Sequence, residues 1–139
     1  LGLHQDAENI NDYHELKKGQ KIGVMISSFA SMMLNKAGKS TSPYAFQSDM
    51  LEDLLKGELY GAAISSAAMN YYIFQNPNSG LRVVNAFDGE PQLTWEVAVG
   101  LRKSDAALVD AVNKILEKLI ADGTLARIYA TYGVEHRLP

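Results

Sequence analysis

The chain has 139 residues, 47% of them hydrophobic and 21% charged, with a formal net charge of -3 and no cysteine. That composition suits a folded domain able to bury a core, while the scattered Lys and Arg residues form no basic stripe for a nucleic-acid backbone, and disulfides and thiolate metal sites are excluded. No apolar run reaches membrane-spanning length, so no span is expected.

Residues 1–20 are polar, with Asp6, Glu8, Asn9, Asn11 and Asp12 ahead of Tyr13-His14-Glu15-Leu16, and read as an incoming connector. Lys21 to Ile26 is a short apolar, β-branched run that predicts a buried strand. Ser27-Ser28 then opens a helix whose Phe29, Met32, Met33 and Leu34 are expected to face inward, and Gly38 ends it. After an extended piece around Tyr44 to Phe46, Asp49 and Glu52 form a capping-box pattern before Leu51, Leu54 and Leu55, and Gly57 closes that helix. Residues 59–64 read as the next strand. Ser65 or Ser66 starts the helix that carries Tyr71, Tyr72 and Phe74 on an expected core face. Asn76 to Gly80 is a turn, and residues 81–86 are a further strand. Alternating strands and helices of this kind specify an α/β layered domain with largely parallel strands.

The last third follows a fixed grammar. Trp95, Val97, Val99 and Leu101 alternate with Glu96, Ala98, Gly100 and Arg102, the period of two expected of a strand. Ser104 and Asp105 open a helix in which Leu108, Val109, Val112, Ile115, Leu116, Leu119 and Ile120 make one apolar stripe. Gly123 stops it, and Thr124 is placed to cap a short helix carrying Leu125, Ile128, Tyr129 and Tyr132.

This segment, WEVAVGLRKSDAALVDAVNKILEKLIADGTLARIYATYG, resembles the carboxyl end of a type II periplasmic solute-binding protein of the bacterial extracellular family 3 type. DYHELKKGQKIGVMISSFASMML resembles the entry into the second lobe of such proteins, and LEDLLKGELYGAAISSAAMNYYI followed by GLRVV resembles the elements after it. The resemblance implies a three-layer α/β lobe. Residues 1–20 would be the connector, 21–96 the second lobe, and 97–139 the return strand and C-terminal helices of an incomplete first lobe. It places the N-terminal part of that first lobe before Leu1. The apolar stripe of the 105–121 helix would then need cover, because each residue left unburied forfeits about 1.5–3 kcal/mol. A dimer, or a missing N-terminal segment lying over the 105–132 helices, is the expected cover.

The resemblance also implies where a ligand sits. Ser27, Ser28 and the amides after them, Phe29 included, lie where a strand feeds a helix amino terminus, a place that attracts carboxylate. Amino-acid-binding relatives hold the ligand carboxylate there with a Gly-Thr or Gly-Ser pair, and Ser27 replaces the glycine. Ser65 stands where those relatives place an aspartate for the ligand ammonium, and Tyr60 where they usually have another aspartate. The plain alternative is that Ser27, Ser28 and Ser65 simply cap helices. Trp95 could stack on a ligand or pack in a core. His4, His14 and His136 show no mutual metal spacing, so neither metal nor cofactor is expected. With serines alone at both turns and no general base, an enzyme is not expected.

WEVAVGLRKSD and ARIYATYGVEHRLP look most like the branch that accompanies pyrroloquinoline-quinone methanol dehydrogenases, the MxaJ and XoxJ type. That likeness implies a non-catalytic periplasmic accessory with a quinoprotein dehydrogenase as partner. The alternative is the solute-binding component of an ABC importer for a small polar solute such as an amino acid.

Overall fold

In a computed structural model, residues 1–103 and 105–138 are described. The chain divides into two compact units, Leu1–Trp95 and the residues from Glu96 onward. In the first, strands β1 (Gly2–His4), β2 (Ile22–Met25), β3 (Thr41–Tyr44), β4 (Gly61–Ala63) and β5 (Leu81–Val83) form one sheet in the order β3-β2-β4-β1-β5. Between them run α1 (Phe29–Lys36), α2 (Gln47–Leu55) and α3 (Ser66–Gln75). β2 pairs in parallel with both β3 and β4, while β1 runs antiparallel to β4 and β5, so β1 alone is reversed.

Period-two alternation sends side chains to both faces of this sheet, each with its own core. On one face Ile22 and Val24 pack with Leu34 of α1 and with Leu1, Leu3, Ile10, Tyr13 and Leu16. On the other, Met50 and Leu54 of α2 and Met69 of α3 pack with Leu59, Ala62 and Leu81. This is the three-layer α/β architecture with a mostly parallel sheet that the residue pattern implies.

Several local expectations need correction. Residues 1–20 are more than a connector: β1 is an interior strand, and five residues of this stretch are buried among the core side chains just named. The charges around them point outward, with Lys17 Nζ donating to Glu8 at 2.7 Å on the surface. Structure over Tyr44–Phe46 begins earlier, as β3, and α2 starts after Phe46, which has no side-chain cap. Asp49 and Glu52 therefore form no capping box; Glu52 lies inside the helix and accepts from Lys56 Nζ at 2.7 Å. In α1 only Leu34 is buried, with Met33 partly packed, whereas Phe29 and Met32 stand 56% and 54% exposed. In α3 the buried residue is Met69; Tyr72 and Ile73 pack partly against it, and Tyr71 and Phe74 are exposed.

In the second unit, α4 (Ala106–Ala121) packs on α5 (Thr124–Ala130). Asp105 caps α4 by accepting from the Leu108 N–H at 3.0 Å; Ser104 lies outside the described residues. Gly123, at φ 73°, makes the left-handed turn that ends α4 and begins α5. Thr124 does not cap α5: it turns to Asp122 instead, and its side-chain hydroxyl first, then its N–H donating to Asp122 Oδ1 at 2.9 Å, hold the Asp122 carboxyl below its ordinary pKa. Trp95 to Arg102 form no strand. The segment has no regular structure, and Trp95 and Val97 are 67% and 82% exposed. Alternation says how two faces would differ, but a strand also needs a partner for its N–H and C=O groups, and none pairs with it among the described residues.

The turn out of β2 carries the main backbone irregularity. The Ser28 N–H donates to Met25 O at 3.2 Å, closing a four-residue turn in which Ser27 has φ 59°. That third position of the turn, at positive φ, ordinarily takes glycine.

Two predictions follow from this packing. Leu3→Ala should cost about 2–5 kcal/mol, because Leu3 is fully buried. A Cβ on Gly23 would meet Met50 Cγ at 2.6 Å and Leu59 Cδ1 at 2.7 Å, so Gly23→Ala should cost about 1–3 kcal/mol. Urea denaturation of the complete protein measures both, and an unchanged midpoint for Leu3→Ala would restore the connector reading. Ser27→Gly should raise stability by about 0.5–1 kcal/mol, the relief of left-handed strain less the added freedom of the unfolded chain; a lower melting temperature would show that the Ser27 side chain contributes more than its backbone costs.

Candidate ligand site at the carboxyl edge of the sheet

β2 and β4 are neighbours and parallel, with Val24 opposite Ala63. Both strands therefore end at the same edge of the sheet, and the helix after each begins there. α1 follows β2 through Ile26-Ser27-Ser28, and α3 follows β4 through Ile64-Ser65. β3, parallel to β2 on its other side, delivers Tyr44 to the same edge. The Ile26 N–H donates to Tyr44 O at 3.0 Å, so the turn after β2 is tied to its neighbour. Tyr44 in turn donates its hydroxyl to Asp53 Oδ2 at 2.6 Å. Burial, and then the Asp53 carboxylate, raise the Tyr44 pKa above that of an ordinary phenol.

The two serine caps have matching geometry. Ser28 Oγ accepts from the Ser31 N–H at 3.1 Å, and Ser65 Oγ accepts from the Ala68 N–H at 3.3 Å. Capping uses a lone pair of each hydroxyl and leaves its proton to donate elsewhere. The cap reading and the ligand reading are thus compatible. In α1 the amides of Phe29 and Ala30 precede the first intrahelical bond and lie at the positive end of the helix dipole. Oriented N–H groups and two hydroxyl donors at one edge can receive an anion without a formal positive charge.

Ser27, Ser28, Phe29, Ser31 and Met32 line a surface hollow of about 420 Å³. The structure thus brings three of the expected residues, Ser27, Ser28 and Phe29, into one place, with Ser65 at the end of the adjoining strand. Trp95 is not among the lining residues. Ser31 and Met32 also line the hollow, Met32 against the expectation that it faces inward. The signal was present: Phe29 and Met32 are three residues apart and share a helix face. A second hollow, about 340 Å³, lies at the Asn76–Ser79 turn beside Tyr72 and gathers none of these groups. Among the described residues no group of His, Asp and Glu is arranged to hold a metal, and no helix is long and apolar enough to cross a membrane.

Residues 7–135 match the model of the family described as bacterial extracellular solute-binding proteins, family 3. The chain is 27% identical over 131 residues to a probable histidine-binding protein of Neisseria gonorrhoeae, covering 91% of this chain and 47% of that protein. It is 28% identical over 131 residues to the glutamate-binding protein GluB of Corynebacterium glutamicum, covering 92% of this chain and 44% of that one. It spans about half the length of the curated relatives it matches. Among solved structures, an ancestral arginine-binding protein bound to glutamine superposes with a TM-score of 0.59 at 26% identity, over 94% of this chain and 57% of that one. The unliganded L-cystine solute receptor of Neisseria gonorrhoeae superposes with a TM-score of 0.74 at 20% identity, over 96% of this chain and 55% of the receptor, a likeness of fold. With nearly all of its residues matched by the family model, the chain belongs to the bacterial extracellular solute-binding proteins of family 3.

Proposed function

We propose that this chain is part of a periplasmic, non-catalytic receptor that captures a small solute of the amino-acid class for an ABC importer. The observation that carries the reading is the meeting of two capped helix termini at one sheet edge, in a chain whose named relatives bind histidine, glutamate, arginine or glutamine. The ligand carboxylate would be received by the Phe29 and Ala30 amides with the Ser28 hydroxyl, and Ser65 would donate from the next strand end. Residues 21–96, completed by β1, would serve as the second lobe, and residues 97–139 as C-terminal elements of the first.

These relatives favour transport over the accessory role beside a quinoprotein dehydrogenase, which rests on two phrases of sequence alone. Trp95, exposed and outside the hollow, is left out of the proposed contacts.

Thermal melting of the complete protein with histidine, arginine, glutamate, glutamine, leucine and phenylalanine tests this reading. A ligand at a hundred times its dissociation constant adds about 2.7 kcal/mol to stability, a clear upward shift. Ser28→Ala should lower the ligand-free stability by about 0.5–2 kcal/mol, through the lost cap, and weaken the ligand as well. If no amino acid shifts the melt while a quinoprotein dehydrogenase copurifies, the accessory role is the right one.

A further inference from the structure

We infer that the Tyr44–Asp53 pair positions the ligand turn after β2, acting through the Tyr44 carbonyl. The inference rests on the solute-binding reading above and adds the residues that hold its amides in place. Among the described residues β3 is the edge strand of the sheet, with β2 as its only paired neighbour, and none of its four residues is buried. A strand so placed opens easily unless side chains hold it. Two do, one at each end. Thr41 donates its hydroxyl to Asn35 Oδ1 of α1 at 2.9 Å, and Tyr44 donates its hydroxyl to Asp53 Oδ2 of α2 at 2.6 Å. The second bond ends on a carboxylate, the stronger kind, and Tyr44 also packs partly against the core cluster of Met50 and Leu54.

The two bonds differ in what lies beside them. Thr41 is opposite Ile22, at the start of β2 and at the far edge of the sheet from the serine caps. Tyr44 is opposite Met25, the last residue of β2, and its carbonyl accepts the Ile26 N–H at 3.0 Å, the last rung before Ser27. The Ser28 N–H then returns to Met25 O, and α1 begins at Phe29. Movement of the Tyr44 end of β3 therefore carries Ile26 with it and changes the direction of the Phe29 and Ala30 amides. Hydrogen bonds weaken steeply when an N–H turns away from its acceptor, so a small rotation there costs affinity without unfolding the domain. Phe46, at the start of α2, makes no side-chain cap, so the serine cap that orders α1 and α3 at this edge has no counterpart in α2. Asp53 supplies a tie to β3 from further along that helix.

Isothermal titration of the complete protein with histidine, arginine, glutamate and glutamine tests the inference, each variant being compared on the one that binds most tightly. Tyr44→Phe keeps the ring and the carbonyl and removes only the hydroxyl. It should weaken binding about threefold to tenfold, the worth of one hydrogen bond. Asp53→Ala should match it, and the double variant should bind no more weakly than either, because the same bond is lost in all three. Thr41→Val removes the bond at the other end of β3; it should lower the melting temperature and leave affinity within about twofold of the unaltered protein. A Tyr44→Phe variant that melts earlier but binds as tightly as the unaltered protein overturns the inference, as a role in stability alone would produce that result. Equal weakening by Thr41→Val, or additive losses in the double variant, also overturns it, and in each of these cases the receptor role stands. Failure of the unaltered protein to bind any of the four overturns the receptor role, and this inference with it.

Discussion

The parallel pairing of β2 with both β3 and β4 is the constraint from which the rest of the first unit follows. Parallel neighbours cannot be joined by a tight hairpin, so each connection must cross back over the sheet, and here helices make the crossing. Every such helix then starts at the edge where the strands end. The amino termini of α1, α2 and α3 are delivered to one side by topology alone, before any side chain is chosen. What the sequence adds is the chemistry at each terminus: a capping serine at α1 and α3, and an uncapped, exposed Phe46 at α2. Backbone amides and serine hydroxyls are therefore gathered at this edge, where the proposed ligand carboxylate would be received.

The reversed strand β1 is the other half of the construction. It sits between β4 and β5 and brings its neighbours together although they do not bond each other. The close approach of Leu3 to Gly61 shows how tightly this seam is packed: a Cβ there would meet Leu3 Cδ2 at 2.7 Å and the Gly2 carbonyl oxygen at 3.0 Å. Segment 1–20 then turns its apolar residues onto the same face as Leu34, covering the side of the sheet that α1 alone is too short to cover. The edge that forms the hollow is thus supported from beneath by residues far away in sequence.

The parts legible in the sequence are those with local causes. Ser28, Ser65 and Asp105 as caps, and Gly38, Gly57 and Gly123 as left-handed stops, follow from backbone chemistry within a few residues. β1 was not legible, because three residues among acidic neighbours carry no usable period and their burial comes from partners sixty to eighty positions away. The Trp95–Arg102 alternation failed in the opposite way, as a clear period without a paired neighbour among the described residues. At the site, the residue types Ser27, Ser28 and Phe29 were visible, but the outward turn of Phe29 and Met32 was not. Whether an apolar face of a helix packs inward depends on how much of the sheet another segment already covers.

Ser27 connects these observations. A serine at φ 59° is strained by roughly 1–2 kcal/mol, and such a conformation persists only where its surroundings over-determine it. Here they do: Ile26 is held by the Tyr44 carbonyl before it, Ser28 by the Met25 carbonyl after it, and Met32 bonds back to the Ser28 carbonyl. These bonds fix the direction of the first amides of α1 without help from a ligand. A donor set that is already oriented loses little freedom when an anion arrives, so more of the interaction appears as affinity. The strained elbow is thus the means by which the direction of α1 and of its first amides is set by the chain itself.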